Sequence, residues 1–430
     1  MLGLDSRKGR LGTFGLLYIS EGIPYGFTSI AMVAILRQNG LPLDQIGIFV
    51  ATLFIPWSFK FAWAPVIDLI KLNKFGGRKA WIGICLTLMI LSLLTVTLID
   101  FKHEFELLLL IMLINNIFCA TQDIAIDSLA VSTLKPDERA SGNGFMFGGQ
   151  YFGIALGGGA AIYVYGVSSF EFALIYVSVL QLICLLYVLF FLKDPEAEIE
   201  IKKTSRFESV IKEFIHTMIE FTKEVYRSFW QSGPSPKLGF LFSILPTGAL
   251  VLAYAALATI PVDYGFNETE IAQITTLNTI TAAVGCIVGG LLADRFGLRK
   301  MLGLYYILSA LPGLFLAYNI ANVGLTNLPA EYVSGAIILH GFLYGMAFGT
   351  QAAIFMGITN PAVAATQFTA FMAMGNVVVT YTNAWQGIVA ERFDYSLVLY
   401  VDAFLIILPL LVIPYLKSRE EAGLVTPVHQ

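Results

Sequence analysis

Twelve long apolar runs divide this chain, and they constrain its fold more than any other feature. They fall at roughly 11–36, 44–69, 80–100, 105–132, 142–165 and 169–192, then at 238–261, 271–293, 300–320, 332–356, 362–388 and 396–416. The hydrocarbon core of a bilayer is about 30 Å thick, and a helix needs about 20 apolar residues to cross it. A transmembrane strand needs only about 10, so runs of this length predict helices. Composition agrees: 57% of the residues are apolar and 13% charged, against an apolar share of roughly 45–50% in soluble domains. The expected fold is an all-α membrane protein of twelve helices.

The runs group as six, a polar stretch, and six more. The expected organisation is a six-helix half at 1–192, a linker at 193–236, a second half at 237–418 and a tail at 419–430. Basic residues set the orientation. With the N-terminus inside, 22 of the 26 Lys and Arg residues fall in inner segments. Only Arg37, Lys102 and Arg392 lie in outer loops, and Lys60 lies inside a run. Both termini are therefore expected in the cytoplasm. The basic N-terminus leads into Leu11–Leu36, which lacks a small-residue cleavage site and is interrupted by Gly22-Ile23-Pro24. It reads as an uncleaved first helix. In the linker, Val210, Ile211, Phe214, Ile215, Met218, Val225 and Phe229 recur at helical spacing. They predict an amphipathic helix at the cytoplasmic face.

Several function classes drop out. A net charge of −4 provides no basic surface for nucleic acid. The four cysteines and four histidines are scattered without metal-ligand spacing, so no metal or cofactor is expected. The absence of HExxH, GxSxG and Walker patterns argues against an enzyme or an ATP-driven pump.

The sharpest local motif joins the eighth and ninth runs. Gly289-Gly290-Leu291-Leu292-Ala293-Asp294-Arg295-Phe296-Gly297-Leu298-Arg299-Lys300 resembles the G-x-L-x-D-R-x-G-x-[RK]-[RK] signature of the major facilitator superfamily. A small residue lets two helices approach closely. An acid at a helix end pairs with cations or sits at a positive helix N-terminus. The first half holds a looser copy, Trp63-Ala64-Pro65-Val66-Ile67-Asp68 followed by Phe75-Gly76-Gly77-Arg78-Lys79. Two copies imply an internal repeat, hence two halves related by a pseudo-two-fold. Asp68, Arg78, Gly290, Asp294, Arg295, Gly297 and Arg299 form the expected gating set. The competing reading is a pair of ordinary basic turns.

Polar residues inside the runs are the candidate site. Asp123 and Asp127 are one helical turn apart in the fourth run and share a face. A carboxylate at the bilayer centre costs about 2.5–3.5 kcal/mol on the insertion scale. Such groups face a cavity or a partner, and Lys60 is the candidate partner. Two readings stand: a proton- or substrate-responsive cluster, and a structural ion pair. Glu21, just before Gly22-Ile23-Pro24-Tyr25, is a candidate coupling carboxylate or a helix-bend residue. Gln150 and Tyr151 lie among the fifth-run glycines, which predict tight helix packing. In the second half Asn278, His340, Gln351, Gln367, Asn376, Asn383, Gln386 and Asp402 are intramembrane polar groups. Asn and Gln also serve as interhelical glue. Tyr25, Gln150, Tyr151, Gln367 and Asn376 are the expected cavity-lining residues.

Four segments together resemble the AmpG-type muropeptide permease family: Glu21-Gly22-Ile23-Pro24; Lys60-Phe61-Ala62-Trp63-Ala64-Pro65 with Asp68; Ala120-Thr121-Gln122-Asp123-Ile124 with Asp127; and Ala365-Thr366-Gln367-Phe368. The resemblance follows the chain in order over nearly its whole length. It implies a major facilitator fold in a bacterial inner membrane. It also implies a monomeric carrier driving a sizeable polar metabolite by proton symport, with anhydro-muramyl saccharides and peptides as the substrate class. Glu21, Asp123 and Asp127 would titrate and Lys60 would be their counter-charge. Two departures matter. Some muropeptide permeases carry two extra spans, and Gln122–Val131, Ser141–Gly144 and Gly157–Gly159 look nearer to siderophore permeases. A siderophore or acetyl-CoA-type carrier, or a non-transporting sensor on the same fold, are the alternatives.

Overall fold

The computed structural model describes residues 3–41, 43–70, 72–100, 103–195, 207–246 and 255–423. Its main helices are α1 (Arg7–Gly26), α2 (Leu43–Phe59), α3 (Arg78–Val96), α4 (Phe105–Thr133), α5 (Arg139–Ala155), α6 (Phe170–Phe191) and α7 (Phe207–Trp230). Then follow α8 (Pro234–Ile244), α9 (Ala255–Tyr264), α10 (Glu268–Phe296), α11 (Leu298–Val323), α12 (Ala330–Ile358), α13 (Ala364–Arg392) and α14 (Tyr395–Leu405). The described residues contain no strand.

Among the described residues, nine helices are long and apolar enough to cross a membrane: Arg7–Leu36, Arg78–Val96, Phe105–Thr133, Phe170–Phe191, Glu270–Phe296, Leu298–Val323, Ala330–Ile358, Pro361–Val379 and Tyr395–Tyr415. Of the other three expected runs, two are interrupted and one is described only in part. Helix α2 stops after 17 residues, where Lys60–Ala62 tighten into a 3₁₀ turn. Helix α5 loosens into a π-turn at Leu156–Ala160 and resumes as Ala161–Val167. The seventh run is carried by α8 and α9, with 247–254 outside the described residues. The linker helix expected over 201–230 is observed as α7; residues 201–206 lie outside the description.

Helix α6 shows what these helices face. Ala173, Val177, Gln181, Cys184 and Val188 are buried on one side. Ile175, Val179, Leu182, Leu186 and Phe190 are exposed on the other. A helix apolar all round, with one face still uncovered by protein, requires an apolar solvent. The molecule is a multi-pass membrane protein.

The chain packs as two compact units. The first comprises Met1–Leu134, Gly149–Gln231 and Thr359–Ala373; the second comprises Lys135–Gly148, Ser232–Ile358 and Met374–Gln430. These differ from the expected sequence halves in two strips. The first ten residues of α5 group with the second unit, and the first ten of α13 with the first.

In the first unit, glycine governs the packing of α1 on α5. A Cβ at Gly22 would lie 2.2 Å from Gln150 O, at Gly149 2.2 Å from Gly15 O, and at Gly153 2.4 Å from Ile19 O. At Gly157 it would lie 1.8 Å from Ile23 O. Backbones this close gain dispersion and leave no room for side chains. Phe27, Met32, Phe49, Leu93, Met112 and Leu174 fill the apolar core beside this seam. In the second unit α10 packs on α12 the same way: a Cβ at Gly285 would meet Phe342 O at 2.1 Å, and one at Gly345 would meet Ala282 O at 2.2 Å. Ile260, Leu316, Ile337 and Leu399 belong to its core.

Gly157→Ala should therefore destabilise the protein by about 1–3 kcal/mol through overpacking, lowering the melting temperature in detergent. Gly159→Ala should not, because nothing lies within 4 Å of a Cβ there.

Candidate functional site

The glycine seam has a chemical consequence: it lets Gln150, on α5, reach Glu21, on α1. Gln150 Nε2 donates to Glu21 Oε1 at 2.6 Å. Helix α4 brings two more carboxylates to the same place. Lys60, at the 3₁₀ turn after α2, forms an ion pair with Asp123. Tyr18 OH, one turn before Glu21, donates to Asp127 Oδ1 at 2.5 Å. Glu21 has Asp123, Lys60 and Asp127 as its charged neighbours. Its second oxygen, Oε2, is buried with no hydrogen-bond donor among the described residues.

All four charged groups are withdrawn from solvent: Glu21 and Asp127 are 1% exposed, Asp123 3% and Lys60 7%. Polar neighbours fix them. Gln122 Nε2 donates to Ser20 Oγ at 2.6 Å. Trp57 lies beneath Lys60, 5.4 Å from Nζ to the ring centroid, and Trp57 Nε1 donates to Asn116 Oδ1 at 3.3 Å. The half-buried Tyr25 meets Trp57 edge-on, with centroids 6.0 Å apart. Tyr151 is half-buried beside Gln150 on α5.

A structural ion pair needs one acid for one base. Here three carboxyls converge on one ammonium, so the cluster is neutral only when two of the three carry a proton. Uncompensated buried charges cost several kcal/mol each.

The expected gating residues occupy two matched places. In the first unit, Asp68 accepts from the backbone N–H groups of Ala365 and Thr366 at 3.0 and 2.8 Å, and from Thr366 Oγ1 at 2.8 Å. In the second, Asp294 accepts from the N–H groups of Ala140 and Ser141, both at 3.0 Å, and from the Ser141 hydroxyl. Each acid thus caps the first turn of a helix, α13 or α5, where orphan donors and the helix dipole favour negative charge. Gly290 makes room for this: a Cβ there would lie 2.2 Å from Ala140 O. Gly297 adopts φ +100°, as the sharp turn from α10 into α11 demands. Arg78 is buried and bidentate to Asp194, at 2.9 Å from Nε and 2.7 Å from Nη2. Arg299 is bidentate to Glu421 at 2.7 and 2.9 Å. Arg295 is exposed and lies over the Phe296 ring.

The remaining candidates lie elsewhere. Gln367 is fully buried, and its amide is occupied at both ends: Oε1 accepts from Asn360 N at 2.8 Å and Nε2 donates to Ser228 O at 3.2 Å. It secures the start of α13 rather than lining open space. Asn376, on α13 in the second unit, is exposed. Sequence reading missed Tyr18, Asp194, Arg139 and Glu420. The capped helix starts did carry a signal: Pro136-x-x-x-Ala140-Ser141 is repeated as Pro361-x-x-x-Ala365-Thr366.

Comparison with known proteins follows this geometry. The family model of the Major Facilitator Superfamily matches residues 14–256 and 238–429. A protein of Rickettsia conorii named as AmpG 4 is 23% identical, covering 93% of this chain and 96% of that one. The anhydromuropeptide permease of Escherichia coli K12 is 21% identical over 89% of this chain and 74% of its own length. The structure of the proton:xylose symporter XylE covers 97% of this chain and 99% of its own at TM-score 0.71 and 14% identity. The fucose:proton symporter of Escherichia coli covers 95% and 98% at TM-score 0.66 and 12% identity. These structural likenesses describe the fold.

Losing one partner of a buried pair costs about 3–5 kcal/mol. K60M and D123N should each lower stability by that order, with K60M the worse because it leaves three carboxyls without a cation. The double variant should lose clearly less than the two losses added together. Denaturant unfolding in mixed micelles measures all three.

Proposed function

The chain belongs to the Major Facilitator Superfamily and to its AmpG-type permeases, and from that premise we propose a proton-coupled carrier for anhydro-muramyl saccharides and peptides. One observation carries the coupling: Glu21 Oε2 is buried without a donor and has Asp123 as a neighbour. Two neighbouring buried carboxylates repel one another, and a proton taken up by the pair relieves that repulsion. Lys60 competes for Asp123, so proton loss at Glu21 and tightening of the Lys60 pair are linked. A substrate bonding to Gln150 or Tyr151 would enter the same network through Glu21 and change how firmly it holds its proton.

The two helix caps at Asp68 and Asp294 are the contacts that break as the inner end opens. They are half-buried and small in energy, about 0.5–2 kcal/mol for a cap, so they reverse in each cycle. That end and both termini face the cytoplasm of a bacterial inner membrane, a reading supported by the distribution of basic residues. The direction is uptake, and one chain is a complete carrier. Tyr25, Gln150 and Tyr151 line the substrate path in the first unit, and Asn376 is a lining residue of the second; Gln367 stays outside it because its amide is already bonded. The name of the Escherichia coli relative favours muropeptides over a siderophore or acetyl-CoA.

Proteoliposomes containing the full chain should accumulate a radiolabelled anhydro-muramyl disaccharide when the outside is acidified, and a ferric siderophore should not compete. E21Q and D123N should each lose proton-driven accumulation at least about tenfold, equivalent to 1.4 kcal/mol. E21Q should retain counterflow, because the amide oxygen still accepts from Gln150. Normal coupling in both variants would overturn the assignment.

A further inference from the structure

The two capped helix starts match each other, but what holds them from outside does not. At α13 the second clasp is the end of α7. Asn360 Nδ2 donates to Glu224 Oε1 and Ser228 Oγ, both at 2.8 Å, and Phe229 packs on Phe371 with centroids 5.4 Å apart. That clasp contains no ion pair in its described bonds. At α5 the clasp is the segment after α14. Glu420 takes Arg139, the first residue of α5, in a bidentate pair at 3.1 and 2.8 Å. Glu421 takes Arg299 at the start of α11, and Arg299 also donates to Leu416 O at 3.0 Å. Arg419 N donates to Gly357 O at 2.9 Å, tying the same segment to the end of α12. The residue of α13 that corresponds to Arg139 is Ala364, which has no charge to offer.

We propose that Ser418–Gly423 is an ionic latch on the start of α5, with Glu420 as its positioning residue and salt as its release. Arg139 immediately precedes Ala140 and Ser141, the two residues whose N–H groups Asp294 caps. Holding Arg139 therefore holds the capped turn against α10. The latch is open to ions: Arg139, Arg299, Glu420 and Glu421 border a cavity of about 450 Å³. The side chains of Glu420 and Glu421 are 37% and 48% exposed. The Arg139 side chain is 11% exposed and that of Arg299 32%, so each pair meets solvent mainly through its glutamate, and such contact weakens it as the Debye length falls from about 30 Å at 0.01 M salt to about 3 Å at 1 M. Among its described bonds the α13 clasp has no ion pair to screen, so salt acts first on the start of α5.

Protons do not replace salt in this role. Burial pushes the Glu420 carboxyl up, but the hydrogen bonds and charge of Arg139 outweigh it and hold the group below the ordinary carboxylate range. A carboxyl depressed in this way keeps its pair above the ordinary range and loses it only as pH falls below it. Near neutrality the latch is therefore ionised and insensitive to pH.

The chain contains its own reporter. Cys286 on α10 is fully buried, with its carbonyl oxygen 2.4 Å from where a Cβ on Gly144 of α5 would sit. Lifting the start of α5 uncovers it. Maleimide labelling of native Cys286 in the full-length protein, read by peptide mass spectrometry, tests the latch. Labelling should rise severalfold between 0.01 and 1 M KCl, a range set by the screening lengths above. In E420Q it should start high and lose its salt dependence, E420D should restore the wild-type pattern, and the charge swap R139E/E420R should restore protection. Melting temperature checks that each variant is folded. Labelling that ignores salt and E420Q, or a charge swap that fails to protect, overturns the proposal. The inference rests on the carrier reading only for its meaning in transport. If uptake proves not to be proton-coupled while labelling follows these rules, the coupling falls and the latch stands.

Discussion

Everything in the first unit depends on keeping the Lys60–Asp123 pair inside a structure bounded by lipid. A lone ammonium or carboxylate at that depth would cost more than the fold can absorb, whereas a pair with further hydrogen bonds is tolerable. The pair recruits the rest of its surroundings. Trp57 shields Lys60 from below, Tyr18 satisfies Asp127, and Gln150 satisfies one oxygen of Glu21. Three buried acids then stand beside one base, so ion pairing alone does not balance their charge. A fully compensated pair would be stable and inert.

The glycine seam between α1 and α5 is the mechanical counterpart of that electrostatics. Gln150 reaches Glu21 only because Gly22, Gly149, Gly153 and Gly157 let the backbones touch. Helices separated by ordinary side chains would stand several ångströms further apart, and the amide would fall short of the acid. The π-turn at Leu156–Ala160 contains the last glycine of this seam, Gly157. Such turns re-aim a helix without breaking it and recur at functional sites.

How much of this was legible in the sequence depended on range. The long apolar runs fix helices because lipid forbids any other backbone, so the family-level architecture could be read from hydropathy and basic-residue bias alone. Lys60, Asp123, Asp127 and Glu21 stood out because charge inside an apolar run is costly and calls for a partner or a cavity. Tyr18 did not, since a tyrosine in such a run is ordinarily an interface anchor and its partner lies 109 residues away. The capping roles of Asp68 and Asp294 were half visible: the motif copies marked the acids, but the donors they accept from are backbone N–H groups, which no residue letter records. Gln367 misled for the same reason, since its partners Asn360 N and Ser228 O are backbone atoms. Glu420 and Glu421 read as an ordinary solvated tail until Arg139 and Arg299 were placed against them.

The placement of charge along the helices separates two duties that conflict. A contact that must break and reform in each transport cycle has to be weak enough to lose, while a contact that holds ionised groups within the bilayer has to be too strong to lose. The fold keeps them apart. Asp68 and Asp294 sit at helix ends, half-buried, each bonded to two backbone donors and one hydroxyl that water can replace. The buried cluster has no such substitute: its bonds run between side chains that are almost wholly withdrawn from water. Reversing the arrangement would fail in both places. A deep pair that opened would strand two charges at a cost of several kcal/mol, and a sealed end contact would hold the carrier in one state.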